Sequence, residues 1–157
     1  MRKRTDADNV GFLVADITRL IRSEMDRRIT EEGIEVSPAD VRTLSHAARC
    51  GALRQNLLAE RIGVEAMTVS ASLDRLEAMG LVERQTDSAD RRAKLVHVTA
   101  AGEVMLDRIQ PIGAALRADV ARGIPPDDWR IFLDLLKRVL ANLTAAREQA
   151  RKEGAAA

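Results

Sequence analysis

The stretch "LAERIGVEAMTVSASLDRLEAMGLVER", Leu58–Arg84, decides how the rest of the chain is read. Leu57, Leu58 and Ile62 fall on one side of a short helix over Leu53–Ile62. "IGV" (Ile62–Val64) supplies a tight turn with one glycine. A second helix follows over Glu65–Met79, with Ala66, Val69, Leu73 and Leu76 at three- and four-residue steps. Two helices joined by a short turn containing glycine form a helix-turn-helix. Gly80 ends the second helix, and Leu81–Arg84 has the composition of a strand.

The next stretch, "DSADRRAKLVHVTAAGE" (Asp87–Glu103), completes a hairpin. "TDSAD" (Thr86–Asp90) is turn-forming, and Lys94–Val98 alternates with Val96 and Val98 on one face. A hairpin placed directly after a helix-turn-helix is a wing. Its tip carries Arg91 and Arg92. Thr99 then caps a new helix, Ala101–Arg122, whose apolar side holds Val104, Ile109, Ile112, Leu116 and Val120. Pro111 inside it predicts a kink or an irregular start.

Upstream, "SPAD" opens a helix ending near Cys50. Ser37 is the cap, Pro38 the first helical residue, and Asp40 completes a capping box. Val41, Leu44, Ser45 and Ala48 share one face; Thr43 and His46 lie on another. Before it, Val10–Glu31 reads as a long amphipathic helix with Val10, Leu13, Ile17, Leu20, Ile21 and Met25 in one stripe. Downstream, "GIPPDD" breaks the chain, and Asp127–Arg147 is a strongly apolar helix. The apolar faces of the first helix and the last two exceed what a small winged head can cover, so they predict a second copy of the chain.

The fold class is therefore mainly α with a small β-hairpin wing: a winged helix-turn-helix with long N- and C-terminal dimerisation helices. The expected organisation is one domain over 1–157. The DNA-binding part covers 37–99, dimerisation helices cover 8–34 and 100–148, and 149–157 forms a flexible tail.

Composition narrows the function. Of the 157 residues 46% are hydrophobic, enough for a core, and 31% are charged, which suits a soluble protein. Aromatics make up 2%, so surfaces that stack bases on aromatic rings are disfavoured. The formal net charge is +1, so any nucleic-acid role rests on local arrangement. A single cysteine fits a reducing compartment, and neither a membrane-length apolar run nor a secretory leader is evident; a cytoplasmic protein is expected. No paired histidine and nucleophile, phosphate loop or hydrolase motif appears, so an enzyme is not expected. With only His46 and His97, neither a metal site nor a cofactor is expected.

The order of elements, with "LAERIGVEAMTVSASLDRLEAMGLVER" and "DRRAKLVHVTAAGE" (Asp90–Glu103), resembles the MarR family of bacterial transcription regulators. The likeness spans nearly the whole chain in element order and is specific over Leu58–Gly102. It implies a homodimer on a palindromic operator in double-stranded DNA. It also implies a repressor that lets go when a small aromatic or lipophilic ligand binds or a cysteine is oxidised.

On that reading the second helix of the motif enters the major groove, offering Thr68, Ser70, Ala71 and Ser72, with Arg75 one turn on. Ala71 departs from relatives that carry a basic residue there, which shifts base reading towards methyl contacts, water or DNA shape. Arg91 or Arg92 is suited to the minor groove, and Arg54, Arg84 and Lys94 to phosphates. Asp90, an acid beside DNA, is expected to orient an arginine, Arg75 or Arg92. From Arg54 to Lys94 there are seven basic and seven acidic residues, so the positives must be sorted to one face.

Two switches stand open. Thr43 and His46, with Arg19 or Arg22, form a candidate site for an anionic ligand. The plain alternative is that they are solvated or structural. Cys50, between Arg49 and Arg54, is a candidate redox sensor, against the reading of a small half-buried residue. A helical adaptor that binds protein rather than DNA is the alternative of a different class.

Overall fold

The computed structural model describes residues 9–155. Its elements in chain order are α1 (Val10–Glu31), α2 (Pro38–Cys50), β1 (Leu53–Arg54), α3 (Gln55–Ile62), α4 (Ala66–Ala78), β2 (Val82–Thr86), β3 (Lys94–Val98), α5 (Ala100–Val120) and α6 (Pro126–Ala155). They fall into two compact units, one through Leu116 and one from Arg117 onward.

The helix starts follow from local chemistry. The Asn9 side chain accepts from the Gly11 N–H and opens α1. At α2, Ser37 Oγ accepts from the Asp40 N–H while donating to the Asp40 carboxylate at 2.8 Å. Gly63 (φ +75°) takes the left-handed conformation that lets α3 turn into α4, where a side chain would add strain. Thr99 accepts from the Gly102 N–H and donates to the Gly80 carbonyl, so one side chain caps α5 and pins the end of the α4–β2 turn.

The first unit has one core. Ile29 of α1, Val41 and Leu44 of α2, Leu58 of α3, Val69, Leu73 and Leu76 of α4, Val82 and Val96 of the sheet, and Met105, Ile109 and Ile112 of α5 are all buried together. The sheet is antiparallel in the order β1–β3–β2, with Val96 of β3 opposite Leu53 on one side and Arg84 on the other.

Several expectations need correction. Leu53 and Arg54 pair with β3 as a strand, so α3 begins at Gln55. On α5 it is Met105 that is buried; Val104 is exposed. α5 begins at Ala100, and Pro111, which removes the donor to the carbonyl four residues earlier, lies inside its helical range as expected. α6 runs to Ala155, helical through most of the stretch where a tail is expected; residues 156–157 lie outside the described ones.

Gly102 sits where α5 crosses the end of β3. A Cβ there would collide with the backbone carbonyl oxygen of Leu81 and lie 2.6 Å from Val98 Cγ1. Backbone cannot swing away as a side-chain tip can. Gly102→Ala is therefore expected to lower stability by about 1–3 kcal/mol, the usual cost of overpacking. Thermal unfolding of the purified variant checks this, and an unchanged melting temperature contradicts it.

Apolar faces remain uncovered in both units. On α1, Val10, Phe12, Leu13, Val14, Ile17 and Leu20 are exposed. In the second unit Trp129 and Phe132 of α6 stack at 5.3 Å, yet Phe132, Leu135, Leu136, Val139, Leu140 and Leu143 are exposed. Full burial of each such side chain contributes about 1.5–3 kcal/mol, so these faces are strong candidates for covering.

Candidate nucleic-acid interface

The C-terminal half of α4 is held by two sets of charged contacts. The Asp40 carboxylate at the start of α2 is buried, 3% exposed. It accepts from Ser72 Oγ at 2.5 Å and from Arg75 Nη2 and Nε at 2.7 and 2.9 Å, besides the bond from Ser37. Burial works to raise its pKa, but the bonds from Arg75, Ser72 and Ser37 outweigh this and hold it below the usual carboxylate value. Arg84, on β2, bonds Glu77 and Asp74 of α4 at 2.5 and 2.6 Å. The hydrogen bond from Arg84 holds the Glu77 carboxyl low in turn.

These contacts revise the expected roles. Ser72 does not face solvent with Thr68 and Ala71. It is buried, because residue 72 lies on the stripe of Val69, Leu73 and Leu76, and its hydroxyl is spent on Asp40. Arg75 is ion-paired, but a guanidinium has five N–H donors and only two are engaged, and its side chain is 56% exposed. Donors remain for a phosphate. Arg84 is 21% exposed and shared between two carboxylates, so it braces α4 against the wing instead of standing free for DNA. Met67, Thr68 and Ala71 are exposed on α4, and Ser70 is half-buried.

The wing loop is built on aspartates. Asp87 is buried; its Oδ1 accepts from the Ala89 N–H, and its Oδ2 takes Arg54 Nε at 2.7 Å and Nη2 at 2.6 Å. The bond from the Ala89 backbone, then that from Arg54, lowers the Asp87 pKa. Arg54 thus ties the wing to β1, a role that sequence reading assigned to phosphate contact. Asp90 accepts from the Arg92 backbone N–H at 3.1 Å and lies 3.7 Å from Arg54. It shapes the turn that carries Arg92; it pairs with neither the Arg92 nor the Arg75 guanidinium. Lys94 Nζ donates to Thr86 Oγ1 across the hairpin.

The equal count of charges in the head now resolves into an uneven surface. Arg54, Arg75 and Arg84 have carboxylate partners. Arg91 and Arg92 are exposed and, among the described residues, have no acidic partner. Unbalanced positive charge therefore gathers at the wing tip.

Asp40, Asp87 and Glu77 all have depressed pKa values in the folded chain. Their contribution to stability is present above the unfolded carboxylate values, about 3.9–4.3, and is lost as pH falls through the folded ones. Stability is expected to decline in the acid range below about pH 4, and Asp40→Asn is expected to flatten that decline. Denaturant unfolding between neutral pH and about pH 3 measures it; an identical pH profile for the variant contradicts it.

The remaining candidates lie elsewhere. Thr43 is buried, its hydroxyl bonded to the Ala39 carbonyl of its own helix, so it cannot line an open pocket. His46 is half-buried, and burial, followed by repulsion from Arg49, Arg42 and Arg22, lowers its pKa. Arg19 and Arg22 line an open cleft of about 650 Å³ on α1 with Thr18, Ser23 and Asp26, and Arg19 pairs with Asp16. Cys50 is half-buried, with Arg61 Nη1 3.4 Å from its sulfur. No helix among the described residues is long and apolar enough to cross a membrane.

Known proteins share this fold. The family model described as MarR family matches residues 36–94, from the lead into α2 to the start of β3. The crystal structure of transcriptional regulator PA3341 is 38% identical over 86% of this chain and 98% of its own, with a TM-score of 0.72. A MarR-family transcriptional regulator from Silicibacter pomeroyi is 29% identical over 88% and 96%, with a TM-score of 0.74. BpsR of Bordetella bronchiseptica, whose DNA binding is regulated by 6-hydroxynicotinic acid, shares the fold at 20% identity over 87% and 96%, with a TM-score of 0.69. With its winged helix-turn-helix, its family match and a regulator 38% identical over most of its length, the chain belongs to the MarR family of transcriptional regulators.

Proposed function

We propose that the protein is a homodimeric repressor that grips a palindromic operator in double-stranded DNA and is released by a small anionic aromatic or lipophilic compound. The observation that carries the DNA-binding reading is the pair of uncompensated arginines, Arg91 and Arg92, at the tip of a wing whose other arginine, Arg84, is neutralised. α4 supplies the groove-facing residues Thr68, Ser70 and Ala71, and Arg75 and Lys94 supply phosphate contacts. The uncovered apolar faces of α1 and α6 support dimerisation.

The ligand reading rests on Arg19, Arg22 and His46. Arg22, Arg42 and Arg49 all repel the protonated form of His46. A bound carboxylate offsets that repulsion, which is the chemistry an anionic effector needs. Cys50 carries a second reading: with the Arg61 guanidinium beside its sulfur, peroxide oxidation of the thiol is the competing trigger.

The test is a gel-shift with the DNA upstream of the protein's own gene, at several salt concentrations. A retarded complex is expected whose log affinity falls against log salt by about 0.9 for each phosphate contacted. Aromatic carboxylates are then expected to release it. Release by peroxide instead, abolished in Cys50→Ser, selects the redox trigger. No specific complex at any salt concentration overturns the reading in favour of a protein-binding adaptor.

A further inference from the structure

We infer that Met67, assisted by Ala71 and the methyl group of Thr68, reads the C5-methyl groups of thymines in the major groove, so that α4 discriminates bases by apolar contact. This rests on the DNA-binding reading above and goes beyond it by naming how sequence is read.

The first observation is the absence of free charge on α4. Its charged residues are Asp74, Arg75 and Glu77, and each is held in an ion pair, with Arg84, Asp40 and Arg84 respectively. Recognition of guanine is most often made by a bidentate arginine or lysine, and of adenine by asparagine or glutamine. α4 has no lysine, asparagine or glutamine, and its one arginine is committed on Nε and Nη2.

The second observation is what α4 presents in their place. Met67 is 83% exposed, more than any other large apolar residue described. Ala71 lies four residues on, one turn along the same face, and Thr68 is exposed beside them. This patch belongs to the same head as the wing arginines and lies at the N-terminal half of α4, the helix that the DNA-binding reading above places in the groove. The apolar group on the major-groove edge of a base pair is the thymine methyl. Methionine has three rotatable bonds and a polarizable sulfur, and so can reach and fit such a methyl without a fixed geometry.

The test begins with a duplex enriched from a random-sequence pool by the wild-type protein. Each thymine in it is replaced in turn by deoxyuridine, which removes the methyl and keeps the hydrogen-bonding edge. Wild-type protein is expected to bind about fourfold more weakly for each contacted methyl lost, the effect of one buried carbon group. Met67→Ala is expected to lose the preference for thymine over uracil at the position Met67 contacts, with an unchanged melting temperature because the side chain is exposed. If the wild type ignores every uracil substitution, or Met67→Ala keeps the wild-type preference, the inference is overturned. A pool that yields no enriched sequence overturns sequence-specific binding itself, and this inference with it.

Discussion

Asp40→Ala is expected to lower both the melting temperature and the affinity for DNA. Four hydrogen bonds from side chains converge on this buried carboxylate, from Ser37, Ser72 and two nitrogens of Arg75. Alanine leaves the Ser72 hydroxyl buried with no acceptor, at a cost of roughly 1–3 kcal/mol. It also removes the acceptor of the Ser37 hydroxyl, while Ser37 Oγ keeps its capping bond from the backbone N–H of residue 40. The bond to Arg75 adds less than a fully buried pair would, because the guanidinium side is open to solvent. The expected loss is about 3 kcal/mol, a fall of roughly 10 °C for a chain of this size.

The DNA defect has a separate cause. Asp40 fixes where Arg75 and the middle of α4 stand relative to α2. Without it, Arg75 must be ordered by the DNA at the moment of binding, and that ordering weakens the complex. Asp40→Asn keeps the size and two acceptor lone pairs but loses the charge, so it is expected to fall between wild type and alanine in both measurements. In melting temperature, the double variant Asp40→Ala, Arg75→Ala is expected to be little worse than Asp40→Ala alone, because the two residues act as one unit. Additive losses would show that the pair does not couple.

The sequence made the outline of this head legible and concealed its internal bracing. Helix bounds such as Val10–Glu31 follow from periodicity, and Ser37, Thr99 and Gly63 punctuate the chain through local backbone chemistry. β1 is two residues long, too short to show alternation, and so merged with the helix that follows it. Asp40 was legible as a cap partner of Ser37, three residues away. Its bonds to Ser72 and Arg75 span 32 and 35 residues, where no local spacing reports a contact. Arg54 and Asp87 are separated by 33 residues for the same reason. A count of charges therefore gave zero for the head, whereas their pairing shows which arginines stay uncompensated. One local signal could have flagged Ser72: it falls three residues after Val69 and four before Leu76, on the buried stripe.

That pairing makes the wing tip the place where removal of charge costs binding and little else. Arg91 and Arg92 are exposed and have no carboxylate partner among the described residues, so Arg91→Ala with Arg92→Ala is expected to leave the melting temperature nearly unchanged. Affinity for DNA is expected to fall about 100-fold or more, since charge-assisted contacts are individually strong and a dimer loses them at both wings. The log–log salt slope is expected to flatten by about 0.9 for each phosphate contact given up. The single variants separate the two roles. The arginine in the minor groove matters most on A·T-rich flanks, where the groove is narrow; a phosphate contact weakens all sequences alike. Arg54→Ala provides the contrast. It strips Asp87 of its ion pair, so melting temperature and affinity are expected to fall together. If the double wing variant instead binds with unchanged affinity and unchanged slope, the uncompensated charge at the tip has no part in DNA binding, and the head must engage DNA through α4 alone.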